Sequence, residues 1–396
     1  MVEYPDDWQE KSLLDCVSLI QGLTYTPDNV KRYGTLVLRS SNIQGNHLSF
    51  DDNVYVDTYV SSEKWVQSGD ILVCVRNGSA ALIGKSCVLP ELKNTTFGAF
   101  MSVLRGDETG FIAKVFESDI VQDQVKGRSS ATINQITKKD FESIRIHVPE
   151  SPEIIRIADA LKTFDEYITS LSELIEKKRA IRDGAMTDLL SGATRLEGCV
   201  SKWGKTTIGS CADIYQGGTP KTTNSSYWNG NIIWVTPGEV TQNGSLFIYD
   251  SERKITESGV RNSSARILPE GTILLCTRAT IGTLAIAGRA MATNQGFKNL
   301  ICKRGIDNVF FAYLLLTLKS EMIRRAIGTT FLEISKSALS SIEITIPEYG
   351  EQKAIASVLT AMEEEIQSLE EERNKMIQIR KGAMDDLLTG QVRLTK

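Results

Sequence analysis

Three kinds of side chain in this sequence could do chemistry, and the most numerous are basic residues set beside small polar ones between apolar runs. In the first half these are Lys31 and Arg32, the run Arg39 to Asn42, Arg76 and Asn77, and Lys126 with Arg128. In the second half they are Lys221, Thr222 and Asn224, then Arg261, Arg278 and Lys298. Arginine and asparagine can grip guanine and adenine edges through two hydrogen bonds, and Ser, Thr and glycine-rich backbone suit phosphates, so these segments are candidate nucleic-acid contacts. Arg76 and Arg278 sit at matched places in the two halves, which points to a shared role. A second kind is Asp70 followed by Glu91-Leu92-Lys93, which resembles the spacing of a metal-dependent nuclease, in which two carboxylates would hold Mg²⁺ and the lysine would polarise a phosphate. An acidic-x-Lys triplet is nevertheless expected by chance in any charged chain. That triplet has no counterpart in the second half, and Asp70 stands where a strand-opening turn favours Asp. The third kind is histidine. The two present, His47 and His147, do not recur between halves and read as structural.

Other chemistries lack their groups. No P-loop, GxGxxG, HExxH or zinc spacing occurs, nor an Asn/Asp-Pro-Pro-aromatic tetrad. None of the seven cysteines forms a CxxC pair; Cys16 with Cys211 and Cys74 with Cys276 occupy matched apolar runs and read as small core residues.

The elements that must position these residues come in duplicate. Ile181 to Leu196, IRDGAMTDLLSGATRL, returns at Ile379 to Leu394 as IRKGAMDDLLTGQVRL, with 11 of 16 positions identical and an offset of 198. The same offset places Glu153, Ile157 and Leu161 on Glu351, Ile355 and Leu359, and small shifts place Trp8 on Trp203 and Gly22 on Gly217. A repeat of this length is domain-sized. Four segments follow: globular regions at 1–150 and 199–348, each followed by a helical region, at 151–198 and 349–396. Short β-branched runs punctuated by Gly, Asn and Asp, such as Thr35 to Leu38, Ile71 to Val75 and Ser86 to Leu89, predict strands, while Phe111 to Val125 and Phe310 to Ala326 predict helices. The globular regions are therefore mixed α+β.

Ser151-Pro152-Glu153 is a helix-start signal. Beyond it Ile154, Ile157, Leu161, Phe164, Ile168, Leu171 and Ile175 form a stripe spaced three and four apart, with Gly184 a candidate break and Gly192 a candidate end. Ile355, Leu359, Met362, Ile366, Leu369, Arg373 and Met376 repeat that stripe opposite a charged face. A narrow stripe against a charged face predicts an antiparallel coiled coil, in which thirty residues span ~45 Å.

Composition sets limits. The chain has 396 residues, 41% hydrophobic and 24% charged, with net charge −4. Residues 1–150 carry 15 Lys and Arg against 20 Asp and Glu (net −5), and 199–348 carry 16 against 11 (net +5), so the second lobe has the better field for DNA. No apolar run approaches ~20 residues and the opening MVEYPDDWQE has no signal-peptide pattern, so a cytoplasmic address without membrane contact is expected.

Two variable halves, each closed by a strand, a proline, a Glu-containing helix start, a long helix and then GAM-DLL-G, resemble the specificity subunit of type I restriction-modification systems. Gln216 to Pro220, Trp234 to Pro237, Arg39 to Ile43 and Asn294 to Phe297 are similar to recurring segments of that family. The resemblance implies two target-recognition domains that each read one half of a bipartite double-stranded DNA site, without catalysis by this chain. It also implies helices that set the spacer and dock two methyltransferase subunits, with restriction subunits joining that core. S-adenosylmethionine, ATP and Mg²⁺ would belong to those partners, and no cofactor to this chain. Apolar residues of the repeated motif, Met186, Leu189 and Leu190 with Met384, Leu387 and Leu388, are the expected partner contacts. The alternatives are the nuclease built on Asp70, Glu91 and Lys93, and an adaptor whose lobes bind proteins.

Overall fold

The computed structural model of the chain describes residues 3–128, 134–328 and 332–394, with the side chain of Arg128 left aside. It divides into two compact units, Met1–Glu173 with Glu371–Lys396, and Leu174–Glu370. Each unit holds one α+β lobe, the first half of the helix that follows it and the second half of the other long helix.

The lobes share the strand order of their main sheet and differ in the second sheet, which has four strands in the first lobe and three, Lys254–Ile255, Trp228–Val235 and Ala292–Thr293, in the second lobe. In the first, Ser18–Gln21, Met101–Arg105, Ile71–Cys74 and Ser86–Val88 form an antiparallel sheet, and Thr95–Phe97, Thr35–Leu38, Val54–Val56 and Val30–Lys31 a second sheet of mixed direction. In the second, Ala212–Gln216, Phe297–Cys302, Ile273–Cys276 and Leu284–Ala287 repeat the first arrangement, with Phe247–Ile248 added at the edge. Registers match: Cys74 pairs with Met101 as Cys276 pairs with Phe297. A two-stranded ribbon closes each lobe, Gln9–Ser12 on Arg145–Val148 and Gly204–Thr207 on Glu343–Ile346. The predicted strands are present because each is a β-branched run stopped by a turn residue. The predicted lobe helices are each interrupted, at Ser118 between Thr109–Glu117 and Asp119–Arg128, and at Leu318 between Asn308–Thr317 and Lys319–Arg325.

The long helices are Ser151–Ser191 and Tyr349–Thr389. Ile154, Ile157 and Leu161 join the core of the first lobe, as Ile355, Ala356 and Leu359 join that of the second. Each helix start therefore packs on its own lobe, and the rest of the stripe serves the pairing, with Leu171, Ile175 and Ile366 buried. Within the first unit Arg380 pairs with Asp165, and within the second Arg182 pairs with Glu363. The two pairs are related by the offset of 198, and both join the early part of one helix to the late part of the other. The helices thus run antiparallel. Gly184 does not break its helix. A mid-helix glycine costs ~1 kcal/mol relative to alanine, which burial of Leu189 and Leu190 one to two turns later outweighs. Both helices end at left-handed glycines, Gly192 (φ +74) and Gly390 (φ +71).

Leu189 and Leu190 are buried in the second lobe's core, and Met384, Leu387 and Leu388 in the first lobe's, with Met186 packed against the former. Burial corrects the expected role of Leu189, Leu190, Met384, Leu387 and Leu388 as partner contacts, while Met186 stays half-buried. The faces of these buried residues are covered by the chain itself, because each repeated motif ends against the tryptophan that opens a lobe: Gly192 lies against Trp203, and Gly390 against Pro5 and Trp8.

Candidate nucleic-acid interface

In each lobe some of the candidate residues meet near the end of the central strand pair where Cys74 faces Met101, or Cys276 faces Phe297. These are Arg39 to Asn42 with Arg76 and Asn77 in the first, and Arg278 with Lys298 in the second, whereas Lys31, Lys126 and Arg261 lie on other elements. A glycine close to backbone makes the gathering possible in both. A Cβ on Gly22 would lie 2.0 Å from the carbonyl oxygen of Gly98, and one on the matched Gly217 1.9 Å from that of Asn294.

In the first lobe the segments 39–42 and 76–79 meet, since Asn77 Nδ2 donates to Ser40 Oγ at 3.1 Å while its Oδ1 accepts from Ser79 N. Arg76 is exposed, its guanidinium 5.2 Å from the centre of the Phe100 ring, and Phe100 itself is exposed. Arg39 pairs with Asp52 at 2.7 Å. Lys31 donates to the carbonyl of Asp28, Arg32 is exposed, and Lys126 lies 3.7 Å from Asp123. Asn42 is a correction. It is fully buried, its Oδ1 accepting from Arg39 N and its Nδ2 facing Ser49 O at 2.9 Å, so it shapes the loop and has no edge left for a base. The side chain of Arg128 lies outside the described residues.

In the second lobe two indoles hold the Gln216–Pro220 loop and the residues after it. Trp234 Nε1 donates to Gly218 O at 2.9 Å and Trp228 Nε1 to Lys221 O at 3.1 Å. Arg253 lies 3.7 Å over Trp228 and 5.3 Å from Trp234, and those rings meet edge to face. Lys221 and Thr222 are thereby presented to solvent on a braced turn, while Asn224 caps the next turn through Ser226 N. Arg261 pairs with Glu257 on its own helix. Lys298 is a second correction. Its side chain is only 3% exposed and is paired with Glu333 at 2.9 Å, so a ligand at the surface cannot take it directly. Glu333 also binds Arg278, and the next residue, Ala279, is held at φ +54, a conformation costly for a side chain with a Cβ and often kept at functional sites. Burial works to raise the Glu333 carboxyl, and the hydrogen bonds from Arg278 and Lys298 overcome it and leave its pKa below the ordinary range.

The Asp70 triplet has a structural role. Both Asp70 oxygens lie 2.7 Å from Arg105 Nε and Nη2, its Oδ2 also accepts from Gln67 N, and Glu91 and Lys93 are exposed. Asp70 is 1% exposed and neutralised by Arg105, with three donors on its carboxylate, so it stands apart from the exposed Glu91 and Lys93 and forms no metal site with them. Burial raises the cysteine thiols, to about 12 for Cys87 and Cys302 and about 11 for Cys276, which keeps them protonated and poor nucleophiles.

Arg253, Phe100 and Glu333 escaped the sequence reading. Arg253 meets its tryptophans only through the fold, whereas Glu333 had a signal in the repeat, since the offset of 198 places it on Gln135.

Two lobes sharing one main-sheet strand order, each presenting a loop-built polar edge and joined by antiparallel helices, define a two-domain recognition protein with no assembled catalytic constellation among the described residues. The profile of the type I restriction modification DNA specificity domain matches residues 5–179 and again 200–378. The chain belongs to that family, and each match takes one lobe with most of its following helix. Similarity to the type I restriction enzyme MjaIX specificity subunit of Methanocaldococcus jannaschii is 39% identity over 168 residues, 42% of this chain and 39% of that one. The putative MjaX specificity subunit of the same organism is 24% identical over 99% of this chain and 95% of its own length. The crystal structure of the type I restriction-modification system S subunit from M. genitalium shares the fold, with a TM-score of 0.63, 16% identity, and coverage of 98% of this chain and 97% of that one.

Proposed function

We propose that this chain is the non-catalytic recognition subunit of a type I restriction-modification complex, its segments 1–150 and 199–348 each reading one half of a bipartite site on double-stranded DNA. The observation that carries the reading is the matched pair of sheet-end edges: the central strands pair in the same register while the residues beyond them differ, Arg76 with Phe100 in one and Arg278 with Glu333 in the other. Matched central sheets with different edges suit two different half-sites. The helical segments 151–198 and 349–396 then fix the unread spacer.

Two methyltransferase subunits would dock on the helices, and restriction subunits on that core, in the cytoplasm. S-adenosylmethionine, ATP and Mg²⁺ would be held by those partners. With the leucines of the repeated motif buried, the docking face passes to the matched residues that stay exposed, Ile181 (53%) and Ile379 (43%). Among the described residues no helix is long and apolar enough to cross a membrane, which is compatible with that address.

Methylome sequencing of a host expressing the chain with its methyltransferase partner tests the reading: a split motif with two fixed blocks is expected. Methylation without a split motif, or salt-insensitive DNA binding by the complex, would overturn it.

A further inference from the structure

The second lobe contains a charged cluster with no counterpart among the described residues of the first. Glu333 is bridged backbone to backbone with Arg278, and sends Oε2 to Arg278 and Oε1 to Lys298 Nζ. Lys298 needs that carboxylate, because an unpaired ammonium so far from water is strongly disfavoured. The pairing fixes Glu333 in place. Arg278 stands differently, with 42% of its side chain exposed. Its Nε and Nη2 both lie 2.7 Å from the same Oε2, so the lateral edge of the guanidinium is taken, and among the described residues no hydrogen bond reaches Nη1. The Nη1/Nη2 end carries two parallel N–H donors, the fork that fits O6 and N7 of guanine. A carboxylate shared by two cations is in turn a poor acceptor for the amino group of cytosine or adenine.

The first lobe places the matched Arg76 opposite neutral Gln135, and in the strand position of Lys298 it has Ser102, paired to Val73 as Lys298 is to Leu275. Arg76 has an aromatic ring beneath it and, among the described residues, no carboxylate beside it.

We propose that Arg278 is a guanine-reading residue of the second lobe and that Glu333, anchored by Lys298, is its positioning residue. The assignment rests on the reading of both lobes as double-stranded DNA readers. It names a base chemistry for one of them and a brace for that base contact.

The full chain in complex with its methyltransferase subunits, given a DNA pool randomised over the target and sequenced after selection, tests the proposal. The wild type is expected to return two fixed blocks, one containing a guanine that depends on Arg278. Arg278→Lys keeps the charge and loses the fork, so it should lower preference for that guanine by about tenfold or more while total binding changes little, and Arg76→Lys should leave that block intact. Glu333→Gln should weaken the same preference. Should that variant melt early, Glu333→Gln with Lys298→Met removes both buried charges and takes its place. Unchanged blocks in Arg278→Lys would overturn the proposal, and unchanged guanine preference without Glu333 would remove the brace. A wild-type complex that selects no sequence would instead sink the DNA-reading assignment itself, before any variant is compared.

Discussion

Arg195 grips Glu351 through both carboxylate oxygens, Nε to Oε1 and Nη2 to Oε2 at 2.6 Å each. The first residue follows the end of one long helix and the second opens the other. The offset of 198 reproduces the contact in the first unit, where Arg393 holds Glu153 at 2.9 and 2.8 Å and reaches Asp7 as well. Each arginine also lies over the tryptophan that opens its lobe, Trp203 at 5.7 Å and Trp8 at 5.9 Å. The repeated Arg-Leu is therefore a clamp between a helix end, a helix start and a lobe.

The Glu351 side chain is 1% exposed, and removing its partner strands a buried carboxylate. Breaking a buried pair costs ~3 to 5 kcal/mol, and with Arg195 partly in solvent we expect ~2 to 3 kcal/mol for Arg195→Met. Chemical denaturation followed by tryptophan fluorescence measures it. A midpoint equal to that of the wild type would show that the clamp is ornamental to stability.

Stability should also fall with acid through Glu153. The hydrogen bonds from Arg393 hold its carboxyl below the ordinary 4.5, so folding favours the ionised form. The stabilisation is complete above the unfolded value of ~4.3 and is lost as pH falls through the folded one. Comparing melting temperatures of the wild type and Glu153→Gln across pH, we expect a gap at neutral pH that narrows below ~4.3. A gap independent of pH would assign the effect to shape rather than charge.

The repeated motif offers a sharper contrast. Leu189→Asp places a charge in the second lobe's core and should destabilise that lobe, whereas Ile181→Asp and Ile379→Asp should leave melting unchanged and each remove one methyltransferase copy in native mass spectrometry. Full 2:1 assembly in both isoleucine variants would move the docking face elsewhere.

That contrast marks what the sequence could and could not reveal. Strands and helix starts were legible because their signals are local: a β-branched run before a turn, or Ser-Pro-Glu before a stripe. The seam was legible because its spacing is regular. Leu189 and Leu387 were apolar at helical spacing too, but spacing does not say which surface covers a face, and the cover came from residues distant in the chain. Asn42 and Lys298 were misread for a related reason. A polar residue near a turn is usually solvated, and only the fold showed Asn42 bonding its own loop and Lys298 buried against Glu333. Glu333 is the acidic counterpart of Gln135 at the offset of 198, a difference the sequence itself carries.

If the paired helices act as a ruler, lengthening both should lengthen the spacer. Four residues inserted between Leu171 and Ile175, with four more between the matched Leu369 and Arg373, add about one turn, or ~6 Å, to each helix. The insertions fall near the junctions of the two units, at Glu173 and Glu370, so the ion pairs Arg380–Asp165 and Arg182–Glu363 each stay within an unaltered unit. At ~3.4 Å per base pair along one strand, the added length corresponds to at most about two base pairs. Since the lobes are untouched, the bases read in each half should persist while the unread spacer grows by one or two. Mapping of methylated sites in a host expressing the lengthened chain decides the matter. An active complex that keeps the original spacer, or one that reads different bases, would show that the distance is set somewhere other than these helices.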